Sequence, residues 1–66
     1  MITLGEQIDE ARRELALRRQ CYPRWIQAGT LDPGDAKYQL ACMDAILQTL
    51  VELDHQQRQL PLFQTS

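Results

Sequence analysis

The stretch that decides the fold is Gly29-Thr30-Leu31-Asp32-Pro33-Gly34-Asp35. Gly29 is the residue type that closes a helix, because glycine adopts the left-handed conformation of a C-terminal cap without steric cost. Asp32 is a good N-cap, Pro33 suits a first helical position, and Asp35 adds negative charge to a first turn. A helix stop and a helix start therefore lie within a few residues of each other. Such a link reverses the chain, and the expectation is an antiparallel αα-hairpin.

Upstream, Thr3 and Glu6 have the spacing of a capping box. Leu4, Ile8, Ala11 and Leu15 follow at helical spacing, and Tyr22, Trp25 and Ile26 continue the stripe. Acidic residues gather early (Glu6, Asp9, Glu10) and basic residues late (Arg18, Arg19, Arg24), which suits the helix dipole. Asp9–Arg13 and Glu14–Arg18 are spaced for i,i+4 ion pairs worth ~0.2–0.5 kcal/mol each. Pro23 interrupts the pattern. Inside a helix it removes one hydrogen bond and crowds the carbonyl of Arg19, at ~3 kcal/mol. The apolar stripe crosses Pro23 in phase, which favours a kink over a break.

Downstream, Ala36, Leu40, Met43, Ile46, Leu47, Leu50 and Leu53 form a broad apolar face. Ala41, Cys42, Ala45 and Val51 widen it further. The polar run His55-Gln56-Gln57-Arg58 closes the pattern. The expected fold is all-α: a two-helix hairpin with helices over about 4–28 and 33–57, a loop at 29–32, and a separate peptide at 59–66. Each helix would span roughly 35 Å at about 1.5 Å per residue. One partner helix cannot cover the face of the second helix, so pairing of two copies into a four-helix bundle is expected.

Composition supports pairing. A chain of 66 residues buries too little surface to be comfortably stable alone. Small scaffolds compensate with disulfides, a metal or a second copy. Cys21 and Cys42 form no disulfide framework and no CxxC pair, and read as small buried apolar residues. His55 is the only histidine and lacks ligand-spaced partners, so no metal or other cofactor is expected. Net charge is −2, from seven basic and nine acidic residues, which predicts no general affinity for nucleic acid or membrane. No apolar run reaches membrane-spanning length and the first residues do not read as a signal peptide, so a cytoplasmic protein is expected. No glycine-rich loop, nucleophile motif or ligand cluster appears, and no enzymatic activity is expected.

Two segments invite a functional reading. The first is Arg18-Arg19-Gln20-Cys21-Tyr22-Pro23-Arg24-Trp25. Guanidinium groups beside aromatic rings can clamp a phosphate and stack a base, so Arg18, Arg19, Tyr22, Arg24 and Trp25 form a candidate nucleotide or host-factor site. The plainer alternative makes Tyr22 and Trp25 hairpin core, with arginine stems lying over them. The second segment is Gln59-Leu60-Pro61-Leu62-Phe63, an apolar peptide after a polar helix end. Its glutamine can fix register at a pocket rim, and burying Leu62 with Phe63 is worth roughly 3–6 kcal/mol before ordering costs. The plainer alternative folds Leu60, Leu62 and Phe63 back onto the end of the bundle.

The second segment resembles the Gln-Leu-x-Leu-Phe peptide by which bacterial replication and repair proteins bind the β sliding clamp. Gln59, Leu60, Leu62 and Phe63 match every fixed position, and Pro61 occupies the variable one. The resemblance implies a clamp-binding protein that modulates replication or repair. Separately, Glu10-Ala11-Arg12-Arg13, Tyr22-Pro23-Arg24-Trp25, Gly29 and Met43-Asp44-Ala45-Ile46-Leu47 resemble small helical-hairpin proteins encoded by phages and prophages. That likeness implies an origin and no particular activity.

Overall fold

The computed structural model describes the backbone of residues 1–65 and the side chains of residues 1–58. It contains two helices, α1 (Leu4–Gln27) and α2 (Pro33–Thr65), and no strand among the described residues. The two helices pack against each other as a hairpin.

Both ends of α1 and the start of α2 are built from the residues that predicted them, whereas α2 is assigned as far as Thr65, beyond the end expected near 57. Thr3 caps α1: the Glu6 N–H donates to Thr3 Oγ1 at 3.1 Å, and the Thr3 N–H donates back to Glu6 Oε1 at 3.0 Å. Both halves of the capping box are present. At the other end Gly29 has φ 77°, the left-handed region that glycine enters freely. Its N–H donates to the Ile26 carbonyl at 3.1 Å, and the Thr30 N–H reaches the Trp25 carbonyl at 3.0 Å. Those two bonds make a Schellman cap, which satisfies carbonyls that the helix end leaves bare. Asp32 then caps α2, its Oδ2 accepting from the N–H groups of Gly34 at 2.9 Å and Asp35 at 3.1 Å. A Cβ on Gly34 would stand 3.0 Å from that same oxygen, so glycine gives the cap its room.

Pro23 lies inside α1, which is assigned as one helix from Leu4 to Gln27. The break that Pro23 allowed therefore does not occur, and the helix continues for a turn beyond it. One ion pair differs from expectation. Glu14 pairs with Arg18 at 2.8 Å, but Arg13 pairs with Glu10 and not with Asp9. The i,i+3 neighbour competes with the i,i+4 neighbour on a helix surface, and here it wins.

The core is thin. Ala11, Leu15 and Met43 form its centre, with Leu40, Leu47 and Leu50 packed against them. Ile8, Tyr22 and Ala36 are also buried. Ala36, at 2 % exposure, is the most enclosed of the buried hydrophobic residues, and none of those described falls below that. The chain exposes 5403 Å². A compact folded chain of this mass exposes ~4300 Å². Trp25, Ile46 and Leu53, which belong to the predicted apolar stripes, are all exposed. The stripes are therefore wider than the contact between α1 and α2.

Among the described residues, no helix is long and apolar enough to cross a membrane.

Candidate interaction surface

The helical repeat brings Arg18, Tyr22 and Trp25 onto one face of α1 and sets Arg19 and Arg24 to its two flanks. Arg18 is held from two sides. Its Nε donates to Glu14 Oε2 at 2.8 Å and its Nη1 to the Gln39 carbonyl at 3.2 Å. The hydrogen bond to Glu14 raises the Arg18 pKa further above its ordinary value. The Tyr22 hydroxyl donates to Gln39 Oε1 at 2.9 Å. Its ring stands 5.6 Å from that of Trp25, tilted by 36°. Arg24 reaches back to Cys21 Sγ at 3.9 Å, and Arg19 is exposed. The five residues do not converge on one point. Arg18 and Tyr22 tie α1 to Gln39 of α2, while Trp25 is left half exposed beside them.

The more extensive feature is an apolar face shared by both helices. Toward the open end of the hairpin, Ala11, Met43, Ile46 and Leu50 floor a groove of about 660 Å³, with Ile2 at one end and Glu6, Glu10 and Glu14 along its rim. Glu14 also lines a second, smaller depression of about 260 Å³ toward the turn, bounded by Leu17, Arg18, Cys21, Tyr22 and Trp25. The two depressions share Glu14. Exposed apolar residues line them: Leu17 at 49 %, Trp25 at 47 % and Ile46 at 50 % of their free surface. Cys21 and Cys42 are free thiols, each partly buried. The neighbouring Cys42 side chain raises the Tyr38 pKa.

The opposite side has a different character. Its groove is lined by Gly5, Ile8, Asp9, Arg12, Val51, Asp54 and Arg58, a mixture of both charges around two apolar residues. The Arg58 guanidinium pairs there with Asp54 at 3.0 Å. One side of the hairpin is thus charged and hydrated, and the other is an apolar trough with an acidic rim.

Sequence reasoning anticipated a surplus of apolar surface on α2 but missed the contribution of α1. The signal was there: Leu17, Cys21 and Trp25 recur at i, i+4 and i+8, a second stripe beside the first. The side chains of Gln59, Leu60, Leu62 and Phe63 lie outside the described residues. Among the described residues no group of three or more His, Cys, Asp or Glu side chains is gathered as for a metal ion.

No protein family, curated protein or solved structure matches this chain.

Proposed function

We propose that this chain is a phage-like interaction protein whose helical hairpin carries a β sliding clamp-binding peptide. Gln59, Leu60, Leu62 and Phe63 are the contact residues, and the match of all four to the clamp-binding pattern is the observation that carries the reading. Arg58 lines a groove with Gly5, so the peptide that follows begins level with the first turn of α1. Binding would modulate replication or repair in the bacterial cytoplasm, where the clamp works, and the protein is read as a binder and not as an enzyme.

In this reading two hairpins pair into a four-helix bundle, for which the exposed apolar side is the support. α1 is taken to bend at Pro23, which has no N–H to offer the Arg19 carbonyl. Pairing gives the protein two peptides. The clamp, as known from its family, is a ring with equivalent pockets, and joint engagement would raise affinity ~10²-fold.

Ligand binding at Arg18, Arg19, Tyr22, Arg24 and Trp25 is the weaker reading, because Arg18 and Tyr22 are already committed to Gln39.

Calorimetric titration of purified β clamp tests the proposal. The native chain is expected to bind at micromolar Kd or tighter, equivalent to about −8 kcal/mol, and the Leu62→Ala/Phe63→Ala variant is expected to bind undetectably. Equal heats from the two chains would remove the peptide from the mechanism.

A further inference from the structure

The groove at the open end of the hairpin has two unlike walls. On α2 the wall is apolar, formed by Met43, Ile46 and Leu50. On α1 it carries Glu6, Glu10 and Glu14, set at every fourth residue and so roughly 6 Å apart along the axis. No basic residue lines the groove. Arg13 pairs with Glu10 and Arg18 with Glu14, but neither arginine is among the lining residues. Glu6 has no cation partner among the described residues, and its carboxylate accepts from the Thr3 N–H.

The spacing of the walls selects the shape of an occupant. Met43, Ile46 and Leu50 stand at i, i+3 and i+7, while Gln7, Ala11 and Glu14 stand at i, i+4 and i+7. Both walls therefore repeat over seven residues, the spacing at which packed helices mesh their side chains. The small side chain of Ala11 leaves a hollow opposite Met43 and Ile46 that a large apolar side chain fills. From Ile2 to Glu14 the lined stretch of α1 runs about 18 Å, enough for roughly three turns of a helix laid along it.

We infer that this groove docks a cationic amphipathic helix of another protein. Its apolar side chains seat over Ala11 and Ile46, and lysine or arginine at every third or fourth position meets Glu6, Glu10 and Glu14. Charge complementarity picks this occupant, because a helix edged with acid would set carboxylate against carboxylate. A second copy of this chain does not supply the edge, since no two of its seven basic residues stand three or four apart. The exposed pairs of Glu10 and Glu14 hold weakly and open to a cation seated on the groove side. The inference goes beyond the clamp-binding peptide and gives the hairpin a partner of its own. Leu17 and Trp25 line the neighbouring depression, so the proposed pairing of copies keeps apolar surface outside this groove.

Fluorescence anisotropy with two designed peptides tests the occupant. The first is a helix of about eighteen residues with leucine at heptad positions and lysine at every fourth residue along one edge. In the second, glutamate replaces each lysine. The native chain is expected to bind the lysine peptide at micromolar Kd and the glutamate peptide at least ~10-fold more weakly at ~0.1 M salt, with the ratio narrowing as salt is raised. Equal affinity for the two peptides, or no binding of the lysine peptide, overturns the inference.

Two variants test the place. Glu6→Gln/Glu10→Gln/Glu14→Gln keeps the side chains' size and is expected to remove the preference between the peptides, with circular dichroism checking that the helices remain. Ile46 is half exposed in the hairpin, so Ile46→Lys leaves folding intact while setting a like charge on the apolar wall. It is expected to weaken the lysine peptide at least ~10-fold, whereas Arg12→Ala, in the groove on the opposite side, leaves the affinity unchanged. Full affinity in Ile46→Lys overturns the site. Sedimentation separates the remaining occupant: a native dimer that Ile46→Lys dissociates and the lysine peptide leaves intact assigns the groove to a second copy and overturns the inference. Clamp binding is read by its own titration and survives or fails separately.

Discussion

The Tyr22 hydroxyl donates to Gln39 Oε1 at 2.9 Å, joining the last turns of α1 to the first turns of α2. The ring of Tyr22 is buried while Gln39 is exposed, so the bond closes the edge of the core beside the turn. Arg18 adds a second donor to the carbonyl of the same Gln39. One residue of α2 thus receives two side chains of α1, and the pairing of the helices is pinned there.

Replacing Tyr22 by phenylalanine keeps the ring and removes the bond. The expected loss is about 1 kcal/mol, read as a fall in Tm of roughly 4–8 °C for a domain of this size. Thermal unfolding must be followed at one protein concentration, since the proposed pairing would make Tm depend on concentration. A fall of several times that size would mean that Tyr22 packs differently without its hydroxyl.

Gly29 is the position where the backbone requires glycine. It has φ 77°, and no atom stands within 4 Å of a Cβ placed there. The cost of Gly29→Ala is therefore conformational and not steric, about 1–2 kcal/mol. A synthetic chain with D-alanine at the same position should be at least as stable as the native one, because its preferred φ is positive and its unfolded state has less freedom. Urea unfolding of the three chains gives the comparison, and equal losses from both alanines would point to a side-chain clash instead.

Glu6 supplies the pH dependence of the α1 cap. The Thr3 N–H, and secondly its hydroxyl, stabilise the carboxylate and lower its pKa from the ordinary value of 4.5. A lowered folded-state pKa means that ionised Glu6 stabilises the fold above that value. The contribution is lost as pH falls through the lower folded-state pKa. Glu6→Gln retains a side chain able to accept from the Thr3 N–H but removes the titration. The stability difference between native and Glu6→Gln chains should therefore be constant from neutral pH to about pH 5 and shrink below it. Denaturant titrations across that range measure it, and a difference independent of pH would show that ionisation is irrelevant to the cap.

Leu15 sits at the centre of the core with Ala11 and Met43. Leu15→Ala should remove about 2–5 kcal/mol. Small domains have only about 5–15 kcal/mol in total, and a thin core places this one toward the low end. The variant is expected to lose its cooperative transition near room temperature, which circular dichroism on heating would show.

The features legible in the sequence were the ones set by neighbours along the chain. Thr3 with Glu6, Gly29, and Asp32 with Gly34 and Asp35 each depend on a few adjacent residues, and each cap forms as expected. The helix through Pro23 was less legible because a proline weakens a helix locally, whereas the neighbouring Tyr22 is buried and bonded to Gln39 of α2. The apolar stripes told how much surface was apolar but not which half the partner helix would cover. Ile46 and Leu53 ended outside the contact, and Leu17 entered the exposed face unnoticed. Gln39 gave no signal at all, since its partners Arg18 and Tyr22 are remote in sequence. In the arginine cluster, spacing put charges close along the chain, but the helical repeat turned Arg19 and Arg24 away from the face that Arg18 and Tyr22 share.

The turn between the helices has a consequence for time as well as for shape. Its Schellman closure and its Asp32 cap use only residues 25–35, so the reversal can form before distant parts of the chain meet. Hairpins with contacts this local fold in microseconds to milliseconds. Encounter between two molecules depends on concentration and is far slower at cellular abundance. Under the proposed pairing, each hairpin completes its own folding first and spends the interval with Trp25 and Ile46 in water. The rate at which pairs accumulate would then be governed by supply of the chain, so that a burst of synthesis would produce pairs and a trickle would leave single hairpins.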